Sequence, residues 1–299
     1  MGKIAFVFSG QGDQYQGMGK ELAEKYHAAV RVFNKCDEKR PGTSVQCFEG
    51  TAEELMETAN TQPCLFAMEM AAYSVLIEKE IMPEVVAGFS LGEVVAATAA
   101  GLFDLETGFD VVRKRGELMQ AAAGKADTAM MAVVKLETKQ VEDICAKHTQ
   151  VYPVNYNCPG QITVSGLQTS MEAFSADVKA AGGRALPLKV KGAFHSPFMQ
   201  EAAGAFRNVL EQAEIKEPVC TLYSNLTARP YTSEVTENLA QQICSPVRWE
   251  ELVRNMIGEG VDTFIEIGPG RTLTNMIKKI DASVLAQTFT EYLAEVETC

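Results

Sequence analysis

Val85-Val-Ala-Gly-Phe-Ser90-Leu-Gly-Glu-Val-Val-Ala-Ala-Thr-Ala-Ala100-Gly101 sets a short apolar run, a serine between glycines and a longer apolar run in succession. The first run reads as a strand over Glu84–Ala87, and the second as a helix from Leu91 to Ala100 that stops at Gly101. The same unit recurs on either side. Ile4–Phe8 ends at Ser9-Gly-Gln-Gly12 and is followed by a helical pattern through Val30, while Asp262–Ile267 runs into Gly268-Pro-Gly270 and a helix beginning near Thr272. With a further helix at Pro63–Ile77, this alternation predicts an α/β fold with a parallel sheet covered on both faces.

A middle segment has a different rhythm. It reads as strand Met130–Leu136, helix Lys139–Lys147, strands Tyr152–Asn157 and Gln161–Ser165, helix Met171–Ala181 and strand Ala185–Val190. That βαββαβ order is the ferredoxin-like unit. It predicts a small subdomain over residues 126–192, inserted into a larger one made of 1–125 and 193–299.

At 299 residues, 46% of them hydrophobic and 22% charged, the chain can bury a sizeable core. Its 27 basic against 39 acidic residues make a poor field for a phosphate backbone, so nucleic acid is not an expected partner. The eight cysteines form no C-x-x-C and no Cys/His cluster, and read as reduced thiols of a cytoplasmic protein. The N-terminus lacks the apolar core of a signal peptide, and Phe6 stands where a myristoylation motif wants Ser or Thr. Val85–Phe103 is apolar but carries Glu93 and three glycines, so no membrane association is expected.

Gly88-Phe-Ser-Leu-Gly92 fits G-x-S-x-G between a strand and a helix, where a nucleophile elbow holds its serine on a tight turn and the helix N-terminus faces a developing oxyanion. An ordinary turn with Ser90 as helix cap is the alternative. A serine nucleophile needs a base, and the chain has three histidines. His27 lies in a charged helical pattern and His148 ends a helix. His195, in Gly192-Ala-Phe-His-Ser-Pro197, sits where the inserted segment returns to the main one; the alternative is a loop histidine without a role. On a helix over Leu105–Ala123, Arg115 flanks the apolar arc of Leu105, Phe109, Val112, Gly116 and Met119, whereas Arg113, Lys114 and Glu117 point away. An inward guanidinium needs an anion, either an internal carboxylate or a substrate's. Gly10-Gln-Gly12 does not complete a dinucleotide fingerprint, because Tyr15 occupies the third glycine position. It reads as a plain turn or as a second oxyanion donor converging on Ser90.

Seven motifs in order resemble the malonyl-CoA:acyl carrier protein transacylase family: Phe8-Ser-Gly-Gln-Gly12, Gly88-Phe-Ser-Leu-Gly-Glu93, Arg115-Gly-Glu-Leu-Met-Gln120, Asn155-Tyr-Asn-Cys-Pro-Gly-Gln161, Gly192-Ala-Phe-His-Ser-Pro197, Ser245-Pro-Val-Arg-Trp249 and Glu266-Ile-Gly-Pro-Gly270. The resemblance implies an α/β-hydrolase-like large subdomain with the ferredoxin-like insertion. It implies Ser90 as nucleophile, His195 as base, the main-chain N–H groups of Gln11 and Leu91 as oxyanion hole, and a main-chain carbonyl, assigned here to Ser245, orienting the histidine. Arg115 would pair the malonyl carboxylate, Phe194 and Met119 would shape the acyl site, and Gln161 and Arg184 would contact coenzyme A.

The activity implied is malonyl transfer from malonyl-CoA to the phosphopantetheine thiol of an acyl carrier protein in fatty-acid or polyketide synthesis, with no cofactor of the enzyme's own. An acidic carrier would meet Lys189 and Lys191 beside His195. The chain departs from the family at Ser9, usually proline, and at Phe89, usually histidine. A serine thioesterase and an inactive carrier-binding module are the rival readings; Arg115 speaks against the first, and Ser90 with His195 against the second.

Overall fold

The computed structural model describes residues 2–190 and 192–298, so Lys191 and Cys299 lie outside the described residues. Five strands form a parallel sheet: β1 (Lys3–Phe8), β2 (Val85–Gly88), β7 (Thr221–Leu222), β8 (Val261–Ile267) and β9 (Leu285–Thr288), in the order β7-β2-β1-β8-β9. Four more, β3 (Thr128–Val134), β4 (Val151–Cys158), β5 (Gln161–Leu167) and β6 (Arg184–Pro187), form an antiparallel sheet in the order β4-β5-β3-β6. With helices Thr138–Cys145 and Gln168–Ala180 between its strands, the second sheet has the ferredoxin-like βαββαβ connection.

β1 is central because it is apolar on both faces: Ala5, Phe6, Val7 and Phe8 are all fully buried, with Phe6 and Phe8 in one core cluster and Ala5 and Val7 in another. Its register sets Phe8 beside Gly88 of β2 and Ile267 of β8. The three Gly-rich loops that follow these strands therefore emerge together at the carboxyl edge of the sheet, where open α/β sheets bind ligands.

The elbow helix, Leu91–Ala99, is buried along its whole length. It packs so closely on the β1 loop that a Cβ on Gly92 would lie 2.2 Å from the Phe8 carbonyl oxygen. The second glycine of G-x-S-x-G is thus a requirement of packing. The helix expected from Pro63 runs over Thr58–Glu78; Pro63 falls in its second turn, so the usual use of proline as a helix-start signal misplaces the beginning by five residues. The helical pattern expected through Val30 breaks at the extended Tyr26, between helices Lys20–Lys25 and His27–Lys39. The seven described cysteines are free thiols, and no helix among the described residues is long and apolar enough to cross a membrane.

Candidate active site

Ser90 sits between β2 and the elbow helix with φ 54° and ψ −103°, a backbone conformation unusual for any residue with a side chain. Two bonds hold it there: its N–H donates to Asn225 Oδ1 at 2.7 Å, and its carbonyl oxygen accepts from Gln242 Nε2 at 2.7 Å. Ser90 makes no side-chain cap bond to the helix, so the strain is not that of an ordinary N-cap. Its hydroxyl instead donates to His195 Nε2 at 2.7 Å.

His195 is also at positive φ, 61°, and is buried. Its Nδ1 donates to the main-chain oxygen of Gln242 at 2.9 Å, which fixes the tautomer with Nε2 free to accept. The sequence assigned this orienting carbonyl to Ser245. Helix Val235–Gln242 ends three residues earlier and leaves its last carbonyls without helical partners, so Gln242 takes the main role and the Ser245 backbone adds a smaller contribution. Burial, reinforced by the positive Arg115, pulls the imidazole down to a pKa of about 4 against the backbone acceptors that favour its protonation. The histidine is a neutral base.

Arg115, on helix Leu105–Ala123, is 1% exposed. Arg113 and Lys114 pair outward with Glu117, as the helical spacing predicts. The Arg115 guanidinium donates to Gln62 Oε1 at 3.0 Å, to Gln242 Oε1 at 2.8 Å and to Ser90 Oγ at 3.2 Å, while its Nε has no partner among the described residues. Among the described residues it touches no carboxylate. Glu93 lies one residue behind, receiving Gln242 Nε2 at 2.8 Å, Tyr231 OH at 2.5 Å and Asn225 N–H at 3.1 Å. Burial raises the Glu93 carboxyl to about 7, with the three donors and Arg115 opposing; burial lowers Arg115 to about 10, so it stays charged.

A cavity of about 80 Å³ adjoins these groups, lined by Gln11, Gln62, Phe89, Ser90, Leu91, Arg115, Met119, Met130, Asn155, Leu188, Val190, Phe194 and His195. Seven of the ten residues singled out from sequence therefore meet in one place. The N–H groups of Gln11 and Leu91 donate to no other group among the described residues, and both residues line this cavity with Ser90. Leu188 and Val190 also line an open groove of about 650 Å³ with Met56, Thr58, Gln120 and the exposed Lys189.

Gln161 and Arg184 do not line the cavity. They flank Val134 on β5 and β6, one cross-strand row of the small sheet. His27 begins a helix and His148 pairs with Asp177 at 3.0 Å, both apart from the site. Gln62, Asn225, Gln242 and the positional role of Glu93 were not read from sequence. Their one signal, a polar side chain within an otherwise apolar stretch, is visible at Glu93 but absent around Gln62, Asn225 and Gln242. Among the described residues no group of three or more His, Cys, Asp or Glu is arranged to hold a metal.

Residues 5–291 match the family model for the acyl transferase domain. The chain is 42% identical over 289 residues to the malonyl CoA-acyl carrier protein transacylase of Bacillus subtilis strain 168, covering 94% of this chain and 91% of that one. It is 36% identical over 285 residues to a polyketide biosynthesis malonyl CoA-acyl carrier protein transacylase of Bacillus velezensis, covering 93% and 96%. Among solved structures, the malonyl CoA-acyl carrier protein transacylase of Clostridium perfringens superposes with a TM-score of 0.95 at 33% identity over 99% of this chain and 98% of that one. A malonyl-transacylase solved in complex with a type II polyketide acyl-carrier protein superposes with a TM-score of 0.91 at 34% identity, covering 96% and 94%. The order of the motifs, the elbow serine with its histidine and these likenesses agree: the chain belongs to the malonyl-CoA:acyl carrier protein transacylase family of acyltransferases.

Proposed function

We propose that this enzyme moves a malonyl group from malonyl-CoA to the phosphopantetheine thiol of an acyl carrier protein through a malonyl ester on Ser90. His195 Nε2 takes the hydroxyl proton as Ser90 Oγ attacks the thioester carbonyl. The oxyanion forms against the N–H groups of Gln11 and Leu91, the latter at the start of the elbow helix. Collapse expels the CoA thiol, which leaves with the proton from His195. The carrier's thiol then gives its proton to His195 and attacks the ester, and Ser90 departs with that proton.

The observation that carries this reading is the buried Arg115 guanidinium, which reaches Ser90 Oγ at 3.2 Å and has no carboxylate in contact among the described residues. A malonyl carboxylate supplies the missing anion and takes over the donor now spent on Oγ, leaving the nucleophile to His195. The cavity of about 80 Å³ suits a short acyl group, with Met119 and Phe194 against its α-carbon. Met130, Asn155, Leu188 and Val190 come from the 126–192 segment, which as the small subdomain walls the pantetheine path opposite the 1–125 and 193–299 subdomain. Gln161 and Arg184, on that sheet, receive the nucleotide end of CoA. The reaction calls on no cofactor of the enzyme's own.

Intact-protein mass spectrometry after mixing with malonyl-CoA tests the reading. One malonyl adduct on the wild type, absent from a folded Ser90→Ala variant and discharged by holo-carrier, is expected. Release of free malonate without carrier points to a thioesterase instead.

A further inference from the structure

Ser9 is the last residue before the Gly10-Gln11-Gly12 loop, and its hydroxyl is turned into the protein. It donates to Glu69 Oε1 at 2.5 Å, and both residues are fully buried. Glu69 lies in the middle of helix Thr58–Glu78, sixty residues along the chain, amid Phe66, Met68 and Met70. A carboxyl in that position is costly unless it holds something. The space for it is made by Gly268, where a Cβ would fall 2.3 Å from Ser9 Oγ and 3.4 Å from Glu69 Oε1.

The other ties on the loop are longer, and the Gly12 N–H bonds only locally, to Gln14 Oε1 at 2.7 Å. Ser9 N–H donates to Ile267 O at 3.2 Å, and Gln11 Nε2 reaches Thr58 Oγ1 only at 3.4 Å. On the opposite side Gly92 of the elbow helix abuts the Ser9 carbonyl, which a Cβ there would approach to 2.6 Å. The loop that presents the Gln11 N–H is thus pressed between the elbow helix and the β8 loop, and the Ser9–Glu69 bond is its shortest polar anchor.

We infer that Glu69, acting through Ser9, is a positioning residue that sets the Gln11 N–H at the oxyanion site. This rests on the acyl-transfer reading above. It also gives the buried Ser9 hydroxyl a purpose: a side-chain bond to a neighbouring helix stiffens the loop. Burial, with the nearby carboxyls of Asp13 and Glu266 adding to it, holds the Glu69 carboxyl well above the usual carboxylate range and so neutral. A neutral carboxyl acceptor is matched in shape and charge by an amide.

The test is a kinetic cycle on the first half-reaction, CoA release from malonyl-CoA, with wild type, Ser9→Ala, Glu69→Leu, Glu69→Gln and the Ser9→Ala/Glu69→Leu double variant. Complete loss of an oxyanion donor costs about 10² to 10³ in rate, and a displaced donor less. Each of Ser9→Ala and Glu69→Leu is expected to lower kcat about 10-fold with KM for malonyl-CoA unchanged. The double variant should be no slower than either single one, and Glu69→Gln should recover most of the rate. Losses that multiply in the double variant, single variants with wild-type kcat, or Glu69→Gln as slow as Glu69→Leu each overturn the inference. Thermal unfolding identifies any variant that is poorly folded, and if Glu69→Leu is one, Ser9→Ala against wild type decides: a kcat lower by about 10-fold supports the inference and an unchanged kcat overturns it. A wild type that releases no CoA contradicts the proposed function itself, which separates the two failures.

Discussion

His195 at about 4 is unprotonated over the whole working range, so its protonation should cost no activity until strongly acid pH. The expected kcat/KM for CoA release is level from about pH 8 to about pH 5 in this group, falling only toward its folded pKa. An acid limb near the free-histidine value would show the imidazole to be more solvated than it is here. The stability sign follows from the same shift. Between the ordinary 6.5 and about 4 the unfolded chain binds a proton that the folded chain refuses, so this histidine's contribution is complete above 6.5 and is lost as pH falls toward 4. Urea titrations of wild type and His195→Ala across that window should converge on acidification. In single turnover, His195→Ala should slow acylation by about 10² to 10⁴. Ser90, His195 and Arg115 were legible because each stands in a local pattern that chemistry alone can interpret: a glycine-flanked elbow, a rare residue at a junction, an inward cation on a helix. Gln242 and Asn225 were not. They act on Ser90 from 152 and 135 residues away, and nothing in their neighbourhoods marks them before the chain folds.

The elements were legible where periodicity was strong. The β-loop-α units at β1, β2 and β8 and the βαββαβ segment appear at the expected places, whereas the two-residue β7 is too short to carry any pattern. The elbow is held by contact between elements, and contact makes a sharp contrast between two glycines. Gly92→Ala drives a methyl into the backbone of β1 and should cost at least about 1 to 3 kcal/mol by the usual scale of overpacking. Gly204, in helix Gln200–Glu211, has open space where its Cβ would point, and Gly204→Ala should stabilise by about 0.5 to 1 kcal/mol through helix propensity. Urea denaturation of both variants checks the pair; a Gly92→Ala protein as stable as wild type would mean the elbow helix can move away from β1.

For the whole molecule, the open groove and the cavity at Ser90 adjoin, sharing Leu188 and Val190 as lining residues. The chain carries −12 overall, and among the described residues that line the groove Glu53 and Glu57 are acidic and Lys189 is basic, so Lys189 is the point there at which an acidic carrier would be held. Reversing Lys189 and Lys191 to Glu should slow transfer to carrier more than loading from CoA, and salt should weaken the wild-type carrier step. Equal losses in both half-reactions contradict that surface. We take Arg115 to read the carboxylate of the acyl group and thereby to make the enzyme a malonyl transferase rather than a general acyl transferase or hydrolase. The most direct test of this central claim is the ratio of kcat/KM for malonyl-CoA to that for acetyl-CoA, measured in competition on wild type and on Arg115→Ala. A buried bidentate pair is worth well over a surface ion pair, so the ratio should be large in the wild type and collapse in the variant as malonyl loading is lost and acetyl gains relative to it. An Arg115→Ala enzyme that keeps the wild-type ratio would make the arginine structural and contradict the account.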